Sequence, residues 1–209
     1  MTAIGLQPAI AAAQPGLERL NVAQLHRMIE LGILREGAPI ELVDGLLIRK
    51  NNSDRGGDPM THGPKHAYCL QRLKELDTHV KPHGCHLRQQ LPITLADYEE
   101  PEPDIAIVRG AVEEYRGRHP GPSECVAVIE VADSSLHYDR MVKAPTYAAA
   151  GIPQYWIVNI PERQIEVYRS PKVSGRQYAE RKDYREGEAA ILTISTELSI
   201  DVQISAILP

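Results

Sequence analysis

Two carboxylate side chains lie at positions where strands of hydrophobic residues begin or end. Asp104 follows Pro103 and precedes the hydrophobic run Ile105–Val108, and Glu130 lies within the hydrophobic run Cys125–Val131. An ionised carboxylate is costly to bury unless a cation or a metal ion compensates its charge. Two such carboxylates on neighbouring strands form a set of hard oxygen ligands that suits Mg²⁺, with water and a substrate phosphate completing the coordination. Asp104 and Glu130 are therefore the first candidates for a metal site.

The segments that must position these residues predict a mixed α/β fold with a partly antiparallel sheet. Helical spacing predicts helices after Asn21, after Pro64 and from Leu136 to Ala150. The dipeptide Asp44-Gly45 lies between two β-rich runs, which predicts a hairpin. The unbroken run Cys125–Val131 is typical of a central strand that is covered on both faces. The further predicted strands are Cys85–Arg88 with Leu91–Leu95, Ile105–Val108, Gln154–Asn159, Gln164–Tyr168, Ala190–Ile194 and Leu198–Ile204.

The residues around both carboxylates resemble a nuclease signature. Pro103-Asp104, followed 26 residues later by Glu130-Val131-Ala132, resembles the PD-(D/E)xK pattern, in which the two acidic residues hold the metal. In that pattern a Lys stands two residues after the second acidic residue, and here Ala132 occupies its position.

A longer segment resembles one family within this superfamily. It reads Ser134-Ser135-x3-Asp139-x3-Lys143-x3-Tyr147-Ala148-x2-Gly151-Ile152-Pro153-Gln154-Tyr155-Trp156-Ile157-Val158 and closely resembles the Uma-two family of restriction-endonuclease-like proteins. Further matches, which extend the resemblance over about residues 21–170, are Ile40-Glu41-Leu42-Val43-Asp44-Gly45, His66 and Arg163-x-Ile165-x-Val167-Tyr168. The chain departs from the family at Ala132-Asp133-Ser134, where members commonly have Leu-Ser-Pro, and at Asn159, which replaces a frequent Asp.

This resemblance implies a restriction-endonuclease-like α/β fold, in which a central mixed β-sheet is flanked by helices. It also implies an endonuclease that hydrolyses DNA with Mg²⁺ (or Mn²⁺), since a metal ion activates water without any Ser or Cys nucleophile. In that scheme Asp104, Glu130 and the Val131 carbonyl hold the metal. The family's Lys lies on the following helix, which assigns it to Lys143. Glu41 is an additional ligand or a carboxylate that orients water.

Each of these residues also fits a structural role. Asp104 is compatible with a turn or capping position, and Glu130 with a buried partner for an Arg. Lys143 lies four residues after Asp139, the spacing of an ordinary ion pair on a helix surface, and a proline two residues later interrupts a regular helix. Glu41 fits the solvent face of an alternating hairpin.

Histidines and glutamines suggest further site residues. His62 and His66 are four residues apart, and His83-Gly84-Cys85-His86 follows, which is compatible with a zinc site, although zinc motifs usually contain more cysteines. His66 also fits a position in the metal cleft or at the start of its helix. Gln89-Gln90 fits a position where one amide lies beside metal-bound water.

Composition restricts the classes of function. With 209 residues, 43% of them hydrophobic, the chain is long enough for one buried core; we expect a single domain over residues 21–209 after a flexible tail over residues 1–20. Phe is absent and aromatic residues make up 5%, which disfavours base stacking of the kind that single-strand binders use. Three cysteines without a C-x-x-C pair and the lack of any run of eighteen apolar residues favour a cytoplasmic protein without a membrane span.

Charge is distributed unevenly along the chain. The 23 Lys and Arg against 28 Asp and Glu give a net charge of −5, which argues against a general basic coat. Residues 94–104 contain five acidic and no basic residues, whereas residues 163–185 contain seven basic and three acidic residues, a flank suited to phosphates. DNA is the expected partner, and a homodimer would suit cleavage of both strands. The alternative is a non-catalytic nucleic-acid or protein-binding module that retains the nuclease fold, which Ala132 and the acidic charge suggest.

Overall fold

The computed structural model describes residues 16–50 and 63–209. Most of the predicted tail, and His62 of the suggested zinc site, lie outside these residues. The strands are β1 (Ile40–Val43), β2 (Leu46–Arg49), β3 (Cys85–Gln89), β4 (Ile105–Arg109), β5 (Cys125–Ala132), β6 (Gln154–Asn159), β7 (Gln164–Lys172), β8 (Gln177–Arg185), β9 (Ala189–Thr193) and β10 (Ser199–Gln203). The helices are α1 (Val22–Glu30), α2 (Pro64–Lys74), α3 (Leu76–Val80), α4 (Leu136–Tyr138) and α5 (Ala144–Ala149), with a π-helical turn (Asp139–Lys143) between the last two. Short 3-10 turns are Lys81–His83, Val112–Tyr115, Pro122–Glu124, Val173–Gly175 and Ile204–Ala206.

A six-stranded mixed sheet with the order β3-β4-β5-β6-β7-β8 forms the centre of the fold. β5 and β6 are parallel, and the other neighbouring pairs are antiparallel. A parallel pair needs a crossover connection, which the segment from α4 to α5 supplies between β5 and β6. β1–β2 and β9–β10 form two separate hairpins. This architecture confirms the predicted α/β fold with a central mixed sheet flanked by helices.

Both faces of the sheet are covered. On one face, α2, α3 and the β9–β10 hairpin pack against side chains that include Ile107, Ile129 and Trp156. On the other face, Tyr147 of α5 packs against side chains that include Val128. Each fully buried aliphatic side chain of this kind stabilises the fold by roughly 1.5–3 kcal/mol. All eight residues of β5 are buried, which confirms the prediction of a doubly covered central strand.

Local sequence signals explain where the first elements begin and turn. The Asn21 side chain accepts a hydrogen bond from the Gln24 backbone, and the Gln24 side chain accepts one from the Asn21 backbone, both at 2.8 Å. This reciprocal cap starts α1 at the predicted position. Asp44 and Gly45 have φ values of 53° and 73°, as a two-residue hairpin turn requires. The turn sets the register of β1 and β2, and thereby the position of Glu41 opposite Ile48.

Two predictions from the sequence were wrong. Leu91–Leu95 was expected to continue β3 but is not a strand, because Gln90 adopts a φ of 50° and Pro92 has no N–H to donate. The segment is instead bonded to the following loop, for example from Ile93 N to the Pro101 carbonyl at 3.0 Å. Conversely, β8 (Gln177–Arg185) lies where the sequence predicts no strand. It is an edge strand whose buried residue is Tyr184, so its sequence lacks the hydrophobic alternation of a half-buried strand.

The predicted helix from Leu136 to Ala150 contains a π-helical turn. Pro145 cannot donate a hydrogen bond to the carbonyl four residues before it. Instead, the preceding amide of Ala144 bonds to the Asp139 carbonyl, five residues back. The helix thus continues past the proline with one extra residue in the turn. As a result, Asp139 and Lys143 are both buried rather than forming a pair on the helix surface.

Candidate active site

The structure brings the predicted site residues together from four separate parts of the chain. Glu41 lies on β1, Asp104 directly precedes β4, Glu130 and Val131 lie on β5, and Lys143 ends the π turn. β4 and β5 are antiparallel, with Ile105 opposite Ile129. The next residues on the two strands, Asp104 before Ile105 and Glu130 after Ile129, therefore lie beside each other where β4 begins. Lys143 reaches Glu130 from the crossover helix, and Glu41 of the hairpin contacts Lys143.

The backbone locks the two central carboxylates against each other. The Asp104 backbone N–H donates to Glu130 Oε2 at 3.1 Å, and the Val131 backbone N–H donates to Asp104 Oδ2 at 2.9 Å. In an extended strand the N–H and C=O of one residue point to the same side, so the Val131 carbonyl is also directed toward Asp104. The three groups that the family resemblance assigns to a metal therefore lie close together, where β4 begins beside β5.

Lys143 lies between two carboxylates in the interior. Its Nζ atom is 2.5 Å from Glu41 Oε2 and 3.3 Å from Glu130 Oε1, and the side chains of Lys143 and Glu41 are 4% and 1% exposed. Burial alone lowers the pKa of Lys143, but the charges of Glu130 and Glu41 raise it well above its ordinary value. Lys143 is therefore a charged ammonium group that holds two elements together.

The three carboxylates differ in how well their charges are compensated. Burial raises the pKa of Glu41, but the charge of Lys143 more than offsets this and leaves the pKa below its ordinary value. For Asp104, the hydrogen bond and charge of His66 likewise outweigh burial and lower the pKa. Glu130 is the exception, because burial and the charge of Asp104 keep its pKa raised despite Lys143. Glu130 is thus the carboxylate whose negative charge is least compensated, and a bound divalent cation would compensate it.

Two tyrosines that sequence reasoning did not assign to the site also contact its carboxylates. Tyr147 is buried, and its hydroxyl donates to Glu130 Oε1 at 2.8 Å. Tyr138 donates to Glu41 Oε1 at 3.2 Å. Residues five apart in a regular α-helix point about 140° away from each other. Tyr138 and Lys143 nevertheless meet at Glu41, because the π turn lies between them.

Comparisons with known proteins bear on the family. The family model described as "Uma2: Putative restriction endonuclease" matches residues 22–203. The chain belongs to the Uma2 family. A crystal structure of "a putative nuclease belonging to DUF820" from Anabaena variabilis covers 86% of this chain and 96% of its own, with a TM-score of 0.60 and 20% identity. This likeness shows the restriction-endonuclease-like fold. None of the curated proteins matches the sequence.

Two further polar side chains of this Uma2 family member contact Asp104. His66 Nε2 lies 3.2 Å from Asp104 Oδ2, and Gln90 Nε2 donates to Asp104 Oδ1 at 3.3 Å. His66 therefore belongs to the same site, as one of its sequence-based interpretations expected. His86 contacts the Gly110 carbonyl at 2.9 Å instead, so the described members of the suggested zinc site do not converge.

Asp139 makes no ion pair with Lys143 in this part of the Uma2 fold. It accepts a hydrogen bond from Ser135 Oγ at 2.6 Å. Burial and the charge of Glu130 raise the pKa of Asp139 to about 8. The surface-pair alternative for Lys143 is therefore wrong.

Three arginines of the basic flank predicted over residues 163–185 contact other groups of the chain. Arg181 lies near Glu166 and Asp183, with nitrogen–oxygen distances of 3.3 and 2.7 Å. Arg163 pairs with Glu186, and Arg169 donates to the Ile191 carbonyl. β8 is three strands away from β5, about 14 Å at ordinary strand spacing. These three arginines are thus engaged within the chain, and β8 lies away from the strand that carries Glu130.

Two further features concern the cysteines and the hydrophobicity of the helices. All three cysteines, Cys69, Cys85 and Cys125, are buried and free. Among the described residues, no helix combines the length and hydrophobicity that crossing a membrane requires.

Proposed function

We propose that the protein is a Mg²⁺-dependent (or Mn²⁺-dependent) endonuclease that hydrolyses phosphodiester bonds of DNA. The observation that carries this proposal is the contact between Asp104 and Glu130 where β4 begins beside β5, with the Lys143 ammonium 3.3 Å from Glu130. Membership of a family described as restriction endonucleases supports the reaction class. We further propose that one domain over residues 21–209 carries this activity, in the cytoplasm, with a homodimer cutting both strands.

The donor set fits a hard divalent cation. Asp104 and Glu130 would hold it through carboxylate oxygens, and the Val131 carbonyl faces the same side as the amide that bonds Asp104. Oxygen donors without cysteine or multiple histidines favour Mg²⁺ or Mn²⁺ over zinc. When bound, such an ion polarises the phosphoryl oxygen and lowers the pKa of a coordinated water. The raised pKa of Glu130, caused first by burial and then by Asp104, reflects the charge that the cation would compensate.

Lys143 would act from the crossover helix. Its ammonium group lies within 3.3 Å of Glu130, where it can orient the attacking water by hydrogen bonding and offset negative charge that develops on the phosphate. Glu41 holds this ammonium at 2.5 Å, while Tyr138 holds the other oxygen of Glu41. We therefore assign Glu41 to positioning Lys143. The alternative role for Glu41 is that of a further metal ligand.

Cleavage of supercoiled plasmid DNA tests the proposal. The wild-type protein should nick the plasmid with Mg²⁺ or Mn²⁺ and lose this activity in excess EDTA. Asp104→Asn and Glu130→Gln keep nearly the same volume but remove a proposed ligand charge, and both should reduce nicking to background. Asp201→Asn, an exposed residue of β10, is the matched control and should cleave like wild type. Absence of both cleavage and Mg²⁺ binding in the folded wild type would favour the non-catalytic module instead.

A further inference from the structure

A second group of potential metal ligands lies outside the proposed nuclease site. His26 of α1, Glu100 in the segment before β4 and His119 between β4 and β5 each present one ligand atom, and these atoms lie within 4.8 Å of one another. His26 Nε2 is 2.7 Å from Glu100 Oε1. The two imidazole rings have centroids 5.9 Å apart and meet edge to face. Three distant parts of the chain thus converge on one carboxylate.

Glu100 is fixed in place as a ligand should be. It is 4% exposed, and its backbone N–H and C=O bond to Leu42 of β1 at 2.8 and 3.2 Å. Thr94 Oγ1 donates to Glu100 Oε2 at 2.6 Å, which occupies one carboxylate oxygen and leaves Oε1 facing His26. A hydrogen bond of this kind from outside the ligand set orients the ligating carboxylate.

The loop that carries His119 is tied to the same frame. The Thr94 backbone N–H donates to the Pro120 carbonyl at 3.0 Å, so the residue next to His119 is bonded to the residue that orients Glu100. Ligands of a tetrahedral zinc ion lie about 3.4 Å apart, since each is about 2.1 Å from the metal. The three ligand atoms already lie within 4.8 Å of one another. Side-chain rotations that displace them by about an ångström would bring them to that spacing.

We propose that His26, Glu100 and His119 form a binding site for a transition-metal ion such as Zn²⁺, separate from the oxygen-ligand site at Asp104 and Glu130. Two imidazoles and one carboxylate are ligands that select zinc and similar first-row metals, whereas Mg²⁺ prefers oxygen alone. Glu100 lies four residues before Asp104 and pairs with Leu42, which follows Glu41 in β1. A bound ion would therefore tie α1 and the His119 loop to the strands that carry the proposed active site.

Zinc binding to the metal-free full-length chain tests this site, with competition against a chromophoric chelator as the readout. The wild type should bind Zn²⁺, and His119→Gln and His26→Gln should each weaken binding at least tenfold. His79→Gln, an exposed histidine at the end of α3, is the matched control and should bind like wild type. Thr94→Val should weaken affinity by about 10–100-fold without removing a ligand.

Thermal unfolding gives a second readout that does not depend on nuclease activity. Zinc at about one hundred times its Kd should raise the Tm of the wild type by about 5–10 °C, whereas millimolar Mg²⁺ should not displace it. Asp104→Asn should keep this zinc response even if the nuclease proposal fails. The site assignment is overturned if the wild type binds no zinc, or if folded His26→Gln and His119→Gln bind it as tightly as wild type.

Discussion

Replacing Lys143 by Met is the perturbation whose consequence follows most directly from the geometry. The substitution preserves most of the side-chain volume but leaves Glu41 and Glu130 buried without their shared cation. At an effective dielectric constant of about 20, unit charges 2.5 and 3.3 Å apart attract by about 7 and 5 kcal/mol, most of which the cost of desolvation offsets. Removing one member of a buried ion pair costs about 3–5 kcal/mol, and we expect that loss for Lys143→Met at pH 7.

Equilibrium urea unfolding measures this loss as a change in the free energy of unfolding. Lys74→Met, at the exposed end of α2, is the matched control and should change stability by less than about 1 kcal/mol. Adding Glu41→Gln to Lys143→Met removes one of the unpaired carboxylates and should restore about 1–3 kcal/mol. The reasoning is refuted if Lys143→Met destabilises no more than Lys74→Met, or if Glu41→Gln lowers the stability of the double variant further.

Three further substitutions test the electrostatics of other buried groups. Burial raises the pKa of Glu99 to about 7; because the folded state holds this proton more tightly than the unfolded state, stability is lost as pH rises from about 4.5 to 7. Glu99→Gln should therefore stabilise the protein by on the order of 3 kcal/mol at pH 8 and have little effect at pH 4. Tyr147→Phe removes the hydroxyl that donates to Glu130 and should destabilise by about 1.5–3 kcal/mol in urea unfolding. Arg140→Met leaves fully buried Glu166 with Arg181 as its remaining cation and should cost about 1–3 kcal/mol, less than Lys143→Met.

Each of these substitutions has an outcome that contradicts its rationale. A stabilisation by Glu99→Gln that is the same at both pH values would show that the carboxyl proton is not involved. Unchanged stability of Tyr147→Phe would mean that its hydroxyl gains nothing from Glu130. A loss for Arg140→Met equal to that for Lys143→Met would show that Arg181 does not compensate Glu166.

Short-range signals made much of the fold predictable from the sequence. The Asn21 cap, the Asp44-Gly45 turn and the hydrophobic run of β5 each depend on neighbouring residues, and the structure agrees with all three. The missed strand β8 is held mainly by pairing with β7, and its side chains alternate too little in polarity to reveal it. Tertiary pairing of this kind leaves no local pattern in the sequence.

In the candidate site, too, the sequence indicates some residues but not the contacts between them. Asp104 and Glu130 are recognisable in the sequence because a buried carboxylate beside hydrophobic residues needs a compensating charge, and the resemblance to the Uma-two family implies the role of Lys143. The ion pair between Lys143 and Glu41 joins residues 102 positions apart, and the contact of Tyr138 with Glu41 depends on the π turn. Neither contact has a signal in residue spacing, because an ordinary helix would direct these side chains differently.

Mg²⁺-dependent nicking of supercoiled plasmid by wild type and by Glu130→Gln tests the central claim most directly. Glu130 contacts the Asp104 backbone, the Lys143 ammonium and the Tyr147 hydroxyl, so three parts of the proposed site meet at this side chain. The account predicts metal-dependent nicking by wild type, and background activity in a folded Glu130→Gln protein. Nicking by Glu130→Gln at the wild-type rate, or a wild-type rate that excess EDTA leaves unchanged, would contradict it.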